Sequence, residues 1–387
     1  MPVNPDLSPG ARTSGTPLRV AIVGGGLAGL LAAVLLQQQG VRDVVLFEAR
    51  ERLGGRILTA GADGAFADPT LAATDRFDLG PSWFWPSMQP QFAQLVDALG
   101  LQRVAQFEDG DVMVERADTQ PPVRVRAQAD GAGSVRLAGG IASLVAALSG
   151  RIEPGCVRTG EAVRRLRRVD GRVALEVETA SGEVRVWHAE QVLLALPPRL
   201  AERSITFDPP LPSELARRWS DTPTWMAPHA KYVAIYETPF WRDEGLSGAA
   251  RSGRGPMAEI HDASVPDGPA ALFGFVGVPA TVRRDVPEDV LRTHCRAQLA
   301  RLFGERAATP RADVLKDWAL DPFTATAEDA ETGGQHAAAP PKAAQDGPWA
   351  GTLAGIGSEW SRDFPGYLAG AVDAAIEGVG EVVVRLG

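Results

Sequence analysis

Three glycines and a carboxylate near the start of the chain are spaced as in a site that binds a dinucleotide. Gly24, Gly26 and Gly29 form the pattern G-x-G-x-x-G, and Glu48 follows nineteen residues after the third glycine. Glycines permit a tight turn and let the backbone approach a pyrophosphate, while the carboxylate accepts hydrogen bonds from ribose hydroxyls and repels a 2′-phosphate. The spacing therefore predicts an adenosine dinucleotide without that phosphate as the ligand.

A strand, a turn and a helix must position these residues. The apolar β-branched run 18–23 predicts a first strand, residues 30–39 continue as a helix, and residues 43–48 predict a second strand that Glu48 closes. The glycines then lie at a strand-to-helix turn. There the backbone of Leu27 and Ala28, at the N-terminus of the helix, faces the anion.

A second glycine turn follows the carboxylate directly. After Ala49 the chain reads Arg50-Glu-Arg-Leu-Gly54-Gly55-Arg56, with three arginines around two glycines. Backbone donors and guanidinium groups in such a turn can reach the far phosphate of an extended dinucleotide. The two turns together predict a flavin dinucleotide rather than a nicotinamide one.

Composition predicts a large enzyme with more than one core. The chain has 387 residues, 45% of them hydrophobic, and a net charge of −9, which argues against nucleic acid or an anionic membrane as a partner. No run approaches a membrane span and residues 1–17 lack the pattern of a signal peptide, so we expect a cytoplasmic protein. Cys156, Cys295 and five scattered histidines show no metal-site spacing, so no metal is expected.

The chain resembles the flavin-dependent amine oxidases, which include monoamine oxidase, polyamine oxidases and L-amino-acid oxidases. The resemblance extends in patches from about residue 18 to residue 380. Asp78-Leu-Gly80-Pro81-Ser82-Trp83 is similar to the D-L-G-G-S/T segment of that family, whose backbone passes beside the isoalloxazine ring. Pro81 replaces the second glycine and removes one backbone donor there.

Lys231 is the residue that the resemblance assigns to catalysis. It lies in HAKYVAIYETPFW, which alternates as a strand and resembles the family's K-x(8)-F-W stretch. In that family the lysine holds a water against flavin N5 and assists reoxidation by oxygen. The chain has three lysines against 36 arginines, so a lysine here is not a default cation. The alternative is a lysine that reaches solvent from a strand edge.

The C-terminal part carries two more motifs of the family. Gly351–Glu359 and Gly366–Val372 resemble its A-G-x-E and G-Y-x-x-G-A-V motifs. The resemblance implies that Glu359 binds a ribityl hydroxyl, that Leu368 and Ala371 lie at the flavin, and that Tyr367 forms one wall of an aromatic cage for the amine. A packed core tyrosine is the alternative. Val163 matches the residue whose backbone contacts adenine, although it could equally be a core residue of a strand.

One segment departs from the monoamine oxidase pattern. The family's covalent cysteine and second cage tyrosine follow a tryptophan, but here Trp318 is followed by Thr326, Ala327 and Glu328. We therefore expect FAD to bind non-covalently. Trp83, Trp85 or Trp360 could supply the missing wall, or each could be a core residue.

These observations predict an α/β protein with a Rossmann-type FAD-binding domain interleaved with a smaller α+β substrate domain. The expected boundaries are 1–17 for a flexible tail, 18–82, 134–212 and 340–387 for the FAD-binding domain, and 83–133 and 213–339 for the substrate domain. The expected reaction converts a primary or secondary amine to an imine and reduces O2 to hydrogen peroxide. Two alternatives stay open: a desaturase of the protoporphyrinogen-oxidase and carotenoid-desaturase type, or a flavoprotein with structural FAD that binds a partner.

Overall fold

The computed structural model describes residues 18–116, 120–126, 133–331 and 334–387. Its strands are β1 (Leu18–Val23), β2 (Val44–Glu48), β3 (Thr59–Ala60), β4 (Phe77–Asp78), β5 (Arg103–Ala105), β6 (Asp111–Glu115), β7 (Val123–Arg126), β8 (Val135–Leu137), β9 (Val157–Thr159), β10 (Glu161–Val169), β11 (Arg172–Thr179), β12 (Val184–Leu194), β13 (Thr206–Asp208), β14 (Ala230–Tyr236), β15 (Leu246–Ser252), β16 (Met257–Asp262), β17 (Ala270–Val276), β18 (Ala312–Asp317) and β19 (Leu353–Gly355). Its α-helices are α1 (Leu27–Gln38), α2 (Pro90–Ala98), α3 (Ala142–Ser149), α4 (Pro198–Ser204), α5 (Ser213–Ser220), α6 (Phe240–Asp243), α7 (Ala280–Arg283), α8 (Glu288–Phe303), α9 (Ala327–Glu331) and α10 (Leu368–Leu386).

The chain forms two compact units, and the first is built on a mixed sheet. This unit comprises the described residues up to Gly55 together with Ala147–Thr222 and Ala337–Gly387. Its strand order is β13-β10-β11-β12-β1-β2-β9, with β19 added to β12. β1 pairs in parallel with β2 and with β12, and β2 pairs in parallel with β9, which is the arrangement of a Rossmann-type sheet. Parallel strands buried on both faces explain why β1 and β2 read as nearly continuous apolar runs.

This unit contains a β-meander. β10, β11 and β12 pair antiparallel in sequence order. Asp170 and Gly171 adopt positive φ in the first turn and Gly182 does so in the second, as the sequence predicts for tight turns. A core of large aromatic side chains, including Trp187, Trp219 and Trp349, packs on this sheet.

The second unit comprises Arg56–Ala146 and Pro223–His336 and is also mixed α and β. Its main sheet has the strand order β18-β14-β17-β16-β15-β6-β7. The predicted strand around Lys231 is β14, a central strand whose seven residues are all buried. The short pairs β3-β4 and β5-β8 complete the unit.

The boundaries of the two units differ from the expected domain boundaries. Residues 56–82 and 134–146 belong to the second unit, because β3 and β4 pack with β14 and β17 in one apolar cluster. The assignment of these segments to flavin binding stays a prediction. In the described part of the chain, no helix has both the length and the apolar character that crossing a bilayer requires.

Candidate active site

The first glycine turn connects β1 to α1, as the motif predicts. Gly24 has a φ of +109°, and a Cβ there would lie 2.6 Å from the carbonyl oxygen of Ala195. A Cβ on Gly29 would lie 1.9 Å from the oxygen of Gly24, so helix and turn pack closely at this point. Gly26 differs, because a Cβ there would meet no protein atom closer than 4.0 Å. The protein itself leaves room beside Gly26, which fits a site reserved for a ligand.

The second glycine turn is hydrogen-bonded to the first. Gly54 N donates to Gly25 O at 2.8 Å, and Gly26 and Gly54 form an isolated parallel bridge. The buried Glu48 carboxylate accepts from Gly25 N at 2.7 Å and from Arg50 N at 2.9 Å. Because each carboxylate oxygen can accept more than one hydrogen bond, Glu48 keeps acceptor capacity for ribose hydroxyls.

The arginines of the second turn have different roles. Arg52 donates to the carbonyl oxygens of Leu53 and Gly55, at 3.1 and 3.0 Å, and so shapes the turn itself. Arg50 lies in the first unit with Ala49, and its carbonyl accepts from Gly160 N at 2.8 Å. Arg56 falls in the second unit.

The C-terminal motifs form β19, a short 3-10 turn and α10. Tyr367 is the half-buried N-cap residue of α10, and Leu368 and Ala371 lie in the first turn of that helix. Glu359 is buried and accepts from the hydroxyl of its neighbour Ser358 at 3.0 Å. Helix N-termini favour negative charge because their N–H groups are unpaired within the helix.

Two of the predicted site residues, Trp360 and Val163, lie in the apolar core of the first unit. Trp360 is 3% exposed and packs edge-on against Trp219 at 5.5 Å between ring centroids. This placement favours a core role for Trp360 over contact with substrate. Val163 is buried on β10 and belongs to the same core, where its backbone pairs with β11.

The D-L-G segment lies in the second unit. A Cβ on Gly80 would lie 2.0 Å from the carbonyl oxygen of Arg56, so only glycine fits there. Pro81 and Trp83 are half-buried and Ser82 is buried. The carbonyl of Gly80 and the hydroxyl of Ser82 both accept from the Nζ atom of Lys231, at 3.2 and 2.5 Å.

Lys231 is 2% exposed and therefore does not reach solvent from a strand edge. Its Nζ lies 3.9 Å from the ring centroid of Phe273, which adds a cation–π contact to the two hydrogen bonds. Burial lowers the pKa of this ammonium to about 7, with the charge of Asp78 opposing the shift and that of Arg136 adding to it. Near neutral pH the side chain can therefore change its charge.

Asp78 is the carboxylate whose charge raises the pKa of Lys231. Burial raises its pKa to about 6, against the effects of Lys231, of the hydrogen bond from Ile141 N at 2.8 Å, and of Arg136. Burial also lowers the pKa of Arg136, while Asp262 and Asp78 raise it. Lys231 and Asp78 thus shift each other's pKa, and the charge of Arg136 acts on both.

Aromatic rings surround the lysine on the same sheet face. Trp83 contacts Phe273 at 5.2 Å and His261 at 4.8 Å between ring centroids, and its Nε1 donates to Gln106 at 2.7 Å. Phe275 pairs directly with Lys231 across β14 and β17. Trp85 is half-buried, and its backbone N donates to Gln89.

The segment after Trp318 has its own local order. Trp318 Nε1 donates to Leu79 O at 2.9 Å, which attaches this segment to the D-L-G turn. Thr326 precedes α9 and exchanges hydrogen bonds with the buried Asp329, which also accepts from Thr224 N. Ala327 and Glu328 are the first residues of α9. The cysteines lie elsewhere, Cys156 in the first unit and Cys295 in α8.

Sequence reasoning missed the charged partners of Lys231. Asp78 was visible as part of the D-L-G motif, but nothing marked its carboxylate as buried with a lysine 153 residues away. Arg136 and Phe273 gave no sequence signal, because their roles depend on strand pairing between distant segments.

Comparison with known proteins identifies one family across most of the chain. The family described as flavin containing amine oxidoreductase matches residues 110–383, and the one described as NAD(P)-binding Rossmann-like domain matches residues 22–99. The AofH protein of Mycobacterium tuberculosis H37Rv, named provisionally as a flavin-containing monoamine oxidase, is 28% identical over 478 aligned residues, covering 95% of this chain and 97% of the relative. Putrescine oxidase of Kocuria rosea is 24% identical over 432 residues, covering 82% and 86%.

A solved structure confirms the predicted Rossmann-type architecture. The cyclohexylamine oxidase of Brevibacterium oxydans superposes with a TM-score of 0.77 over 95% of this chain and 99% of its own. Its sequence identity of 19% establishes likeness of fold and no more.

Proposed function

This chain belongs to the flavin containing amine oxidoreductase family, as its motifs predicted, and on that premise we propose that it is an FAD-dependent amine oxidase. The proposed substrate is a primary or secondary amine, which becomes an imine while O2 becomes hydrogen peroxide. One observation carries the proposal: a buried lysine, Lys231, hydrogen-bonded to the D-L-G turn and beside aromatic rings, with a pKa near neutrality. That environment suits a site where negative charge develops.

The residues of the first unit fit FAD. Gly26 leaves open space at the start of α1, and Glu48 retains acceptors for ribose hydroxyls. In the first unit we assign the dinucleotide to these residues together with Gly24, Leu27, Ala28, Gly29, Ala49, Arg50, Gly54, Gly55, Val163, Glu359, Tyr367, Leu368 and Ala371. In the second unit, the family resemblance implies flavin contacts at Arg56, Gly80, Pro81, Ser82 and Trp83. When bound, FAD supplies a two-electron acceptor. Since both cysteines lie outside the segment where the family forms its covalent link, we propose that binding is non-covalent.

Lys231 has an electrostatic role in this proposal. Its two fixed acceptors and the ring of Phe273 hold the ammonium in one place, so little reorganisation is needed when charge develops nearby. The ammonium stabilises reduced oxygen species and can hold a water by its third N–H.

In this proposal, apolar aromatic rings keep the substrate amine in its neutral form. Surroundings without charge partners disfavour an ammonium and favour the neutral amine, which has the lone pair that oxidation needs. Tyr367 is proposed as one substrate contact, and Trp83 is preferred over Trp85 and Trp360 as another, because Trp83 lies against Phe273 beside Lys231.

Anaerobic absorption spectroscopy tests the proposal. The purified protein is mixed with monoamines, diamines and polyamines, and amino acids, and the oxidised-flavin band is followed. Bleaching by one class supports amine oxidation and identifies the substrate type. A flavin band that no amine bleaches would instead favour the desaturase or the structural flavoprotein, and a protein that takes up no flavin would contradict the cofactor assignment.

A further inference from the structure

The second unit contains a cavity with a mixed polar and apolar lining, which extends from exposed residues to Ser82, the residue whose hydroxyl accepts from Lys231 Nζ. Its volume is about 270 Å³. Thr74, Gln102 and Pro266 are exposed lining residues, while Asp78 and Ser82 are buried lining residues. The volume is that of several water molecules, each of which takes about 30 Å³ in the liquid.

Buried donors and acceptors along the cavity favour water within it. Arg136 lines the cavity and donates from a terminal nitrogen to Ser264 O at 2.5 Å. Its Nε atom is buried and has no hydrogen-bond partner among the described residues. Asp78 uses one carboxylate oxygen, Oδ1, for Ile141 N. Because buried polar atoms nearly always have a partner, we expect ordered water to complete these groups.

Ser82 connects the cavity to Lys231. Its hydroxyl oxygen accepts from Nζ at 2.5 Å, so the hydroxyl proton must be donated in another direction. Since Ser82 also lines the cavity, a cavity water is a suitable acceptor. A hydrogen-bonded path then runs from Lys231 through Ser82 and water to Asp78, and on toward the exposed lining residues.

The proposed reaction needs such a path. Oxidation of an amine to an imine releases two electrons and two protons, and reduction of O2 to hydrogen peroxide consumes two of each. Protons and electrons balance over the whole reaction. Because amine oxidation and O2 reduction occur at different times, protons must leave the site and return. The buried Lys231 has no direct exposure through which to exchange them.

We propose that this cavity is the proton route between solvent and Lys231, with Ser82 and Asp78 as its inner groups. The inference rests on the proposed oxidase function. In one direction the proton of the Lys231 ammonium moves to Ser82 while the Ser82 hydroxyl proton passes by water to the Asp78 carboxylate and then to solvent, and the return follows the reverse order. Asp78 is a positioning and relay residue in this route.

Several charged groups face Lys231, and of these Asp78 and Arg136 act on its pKa. Asp78 approaches from β4 and Arg136 from β8. Lys316 lies directly opposite Lys231 on β18, where it forms an ion pair with Asp321. Glu259 lies on the same sheet face, beyond Phe275, and is paired with His261 and Arg251.

The variant Asp78→Asn distinguishes a role of Asp78 in proton transfer from a purely structural role. The amide oxygen of Asn can still accept from Ile141 N, but the side chain no longer carries a proton between waters. The flavin is reduced with dithionite, so that no amine is needed, and reoxidation by O2 is followed from pH 5.5 to 9. We expect at least a tenfold slower rate at neutral pH, restored severalfold by formate, which is small enough to enter the cavity. Ser82→Ala should show the same loss.

Asp170→Asn is the matched control, since Asp170 is an exposed carboxylate in a turn of the first unit at a positive φ that Asn also adopts. It should reoxidise like the wild type. A wild-type rate and pH profile in Asp78→Asn would overturn the route. A slowed rate that formate does not restore would also overturn it, since that result assigns Asp78 an effect on structure alone. Bleaching by amines is measured separately, so failure of the route and failure of the oxidase function are distinguishable.

Lysine NMR supplies a readout that does not depend on turnover. With three lysines in the chain, ¹³Cε labelling gives three signals, assigned with Lys316→Arg and Lys342→Arg. In Asp78→Asn the midpoint of the Lys231 signal should move down by about one pH unit, because an attractive negative charge is lost. An unchanged midpoint would mean that Asp78 does not act on Lys231 and would overturn the proposal.

Discussion

At the scale of single residues, Lys231 is the group on which the oxygen chemistry depends. Replacing it by methionine keeps the volume but removes the ammonium that two fixed acceptors hold in place. We expect Lys231→Met to lower the rate constant for reoxidation by O2 by about a hundredfold, the lower end of the range typical of losing one charge-stabilising donor. Stopped-flow spectroscopy measures reoxidation, and anaerobic mixing measures reduction by the amine.

Lys316→Met is the matched control, because Lys316 lies on the adjacent strand opposite Lys231 and pairs with Asp321 instead. It should leave reoxidation within about twofold of the wild type. Equal losses in the two variants would show that any lysine in this sheet matters for packing, and would remove the assigned role from Lys231.

The same residue predicts a pH dependence with a definite sign. Burial lowers the pKa of Lys231 to about 7, so the ammonium is present below that pH and is lost above it. Reoxidation by O2 should therefore slow as the pH rises through about 7. In Lys231→Met the profile should be flat over this range. A wild-type rate that rises with pH would mean that the neutral amine, and not the ammonium, is the active form.

At the scale of elements, the turn between β1 and α1 contains two kinds of glycine. Gly24 and Gly29 are required for close packing, whereas we assign Gly26 to ligand binding. Gly26→Ala places a methyl group where no protein atom lies within 4.0 Å, at a φ of −77° that alanine accepts. We expect the dissociation constant of FAD to rise at least tenfold, while the free energy of unfolding of the flavin-free protein falls by no more than about 1 kcal/mol, the typical cost of alanine at a helix N-cap. Rebinding of FAD to stripped protein, followed by flavin fluorescence, gives the constant.

Gly29→Ala provides the contrast. Its Cβ would lie 1.9 Å from Gly24 O, so this variant should lose stability even without flavin. If Gly26→Ala destabilises the flavin-free protein as much as Gly29→Ala does, the open space beside Gly26 is not a ligand site.

Elements with a local sequence period could be predicted, and contacts between distant elements could not. β1, α1, β2, the meander and β14 each have an apolar run or alternation that identifies them, and tight turns fix the meander order. The role of Trp360 could not be predicted, because a tryptophan after Glu359 is equally compatible with a cage wall and with a core position. Its edge contact with Trp219 depends on how the 3-10 turn after β19 packs with α5, which no local pattern encodes.

At the scale of the whole molecule, flavin should contribute to stability because its proposed ligands come from distant parts of the first unit. They lie before Gly55, at Val163, and from Glu359 onward. A ligand that binds the folded state at a hundred times its dissociation constant adds about 2.7 kcal/mol. Removal of FAD should therefore lower Tm by several degrees, and re-addition should restore it. Calorimetry of stripped and reloaded protein measures both values, and a Tm indifferent to FAD would contradict the assigned site.

The interleaved order of segments has a consequence for the growing chain on the ribosome. β1, α1 and β2 are synthesised first, yet their sheet lacks β12 until residue 194 and lacks β19 until residue 355. α10, which packs on α1, is made later still. At about 5–20 residues per second the first glycine turn waits many seconds for its neighbours. During that interval the nascent chain has an incomplete parallel sheet with unpaired strand edges, so a chaperone that shields such edges would act on this protein before it can acquire its flavin.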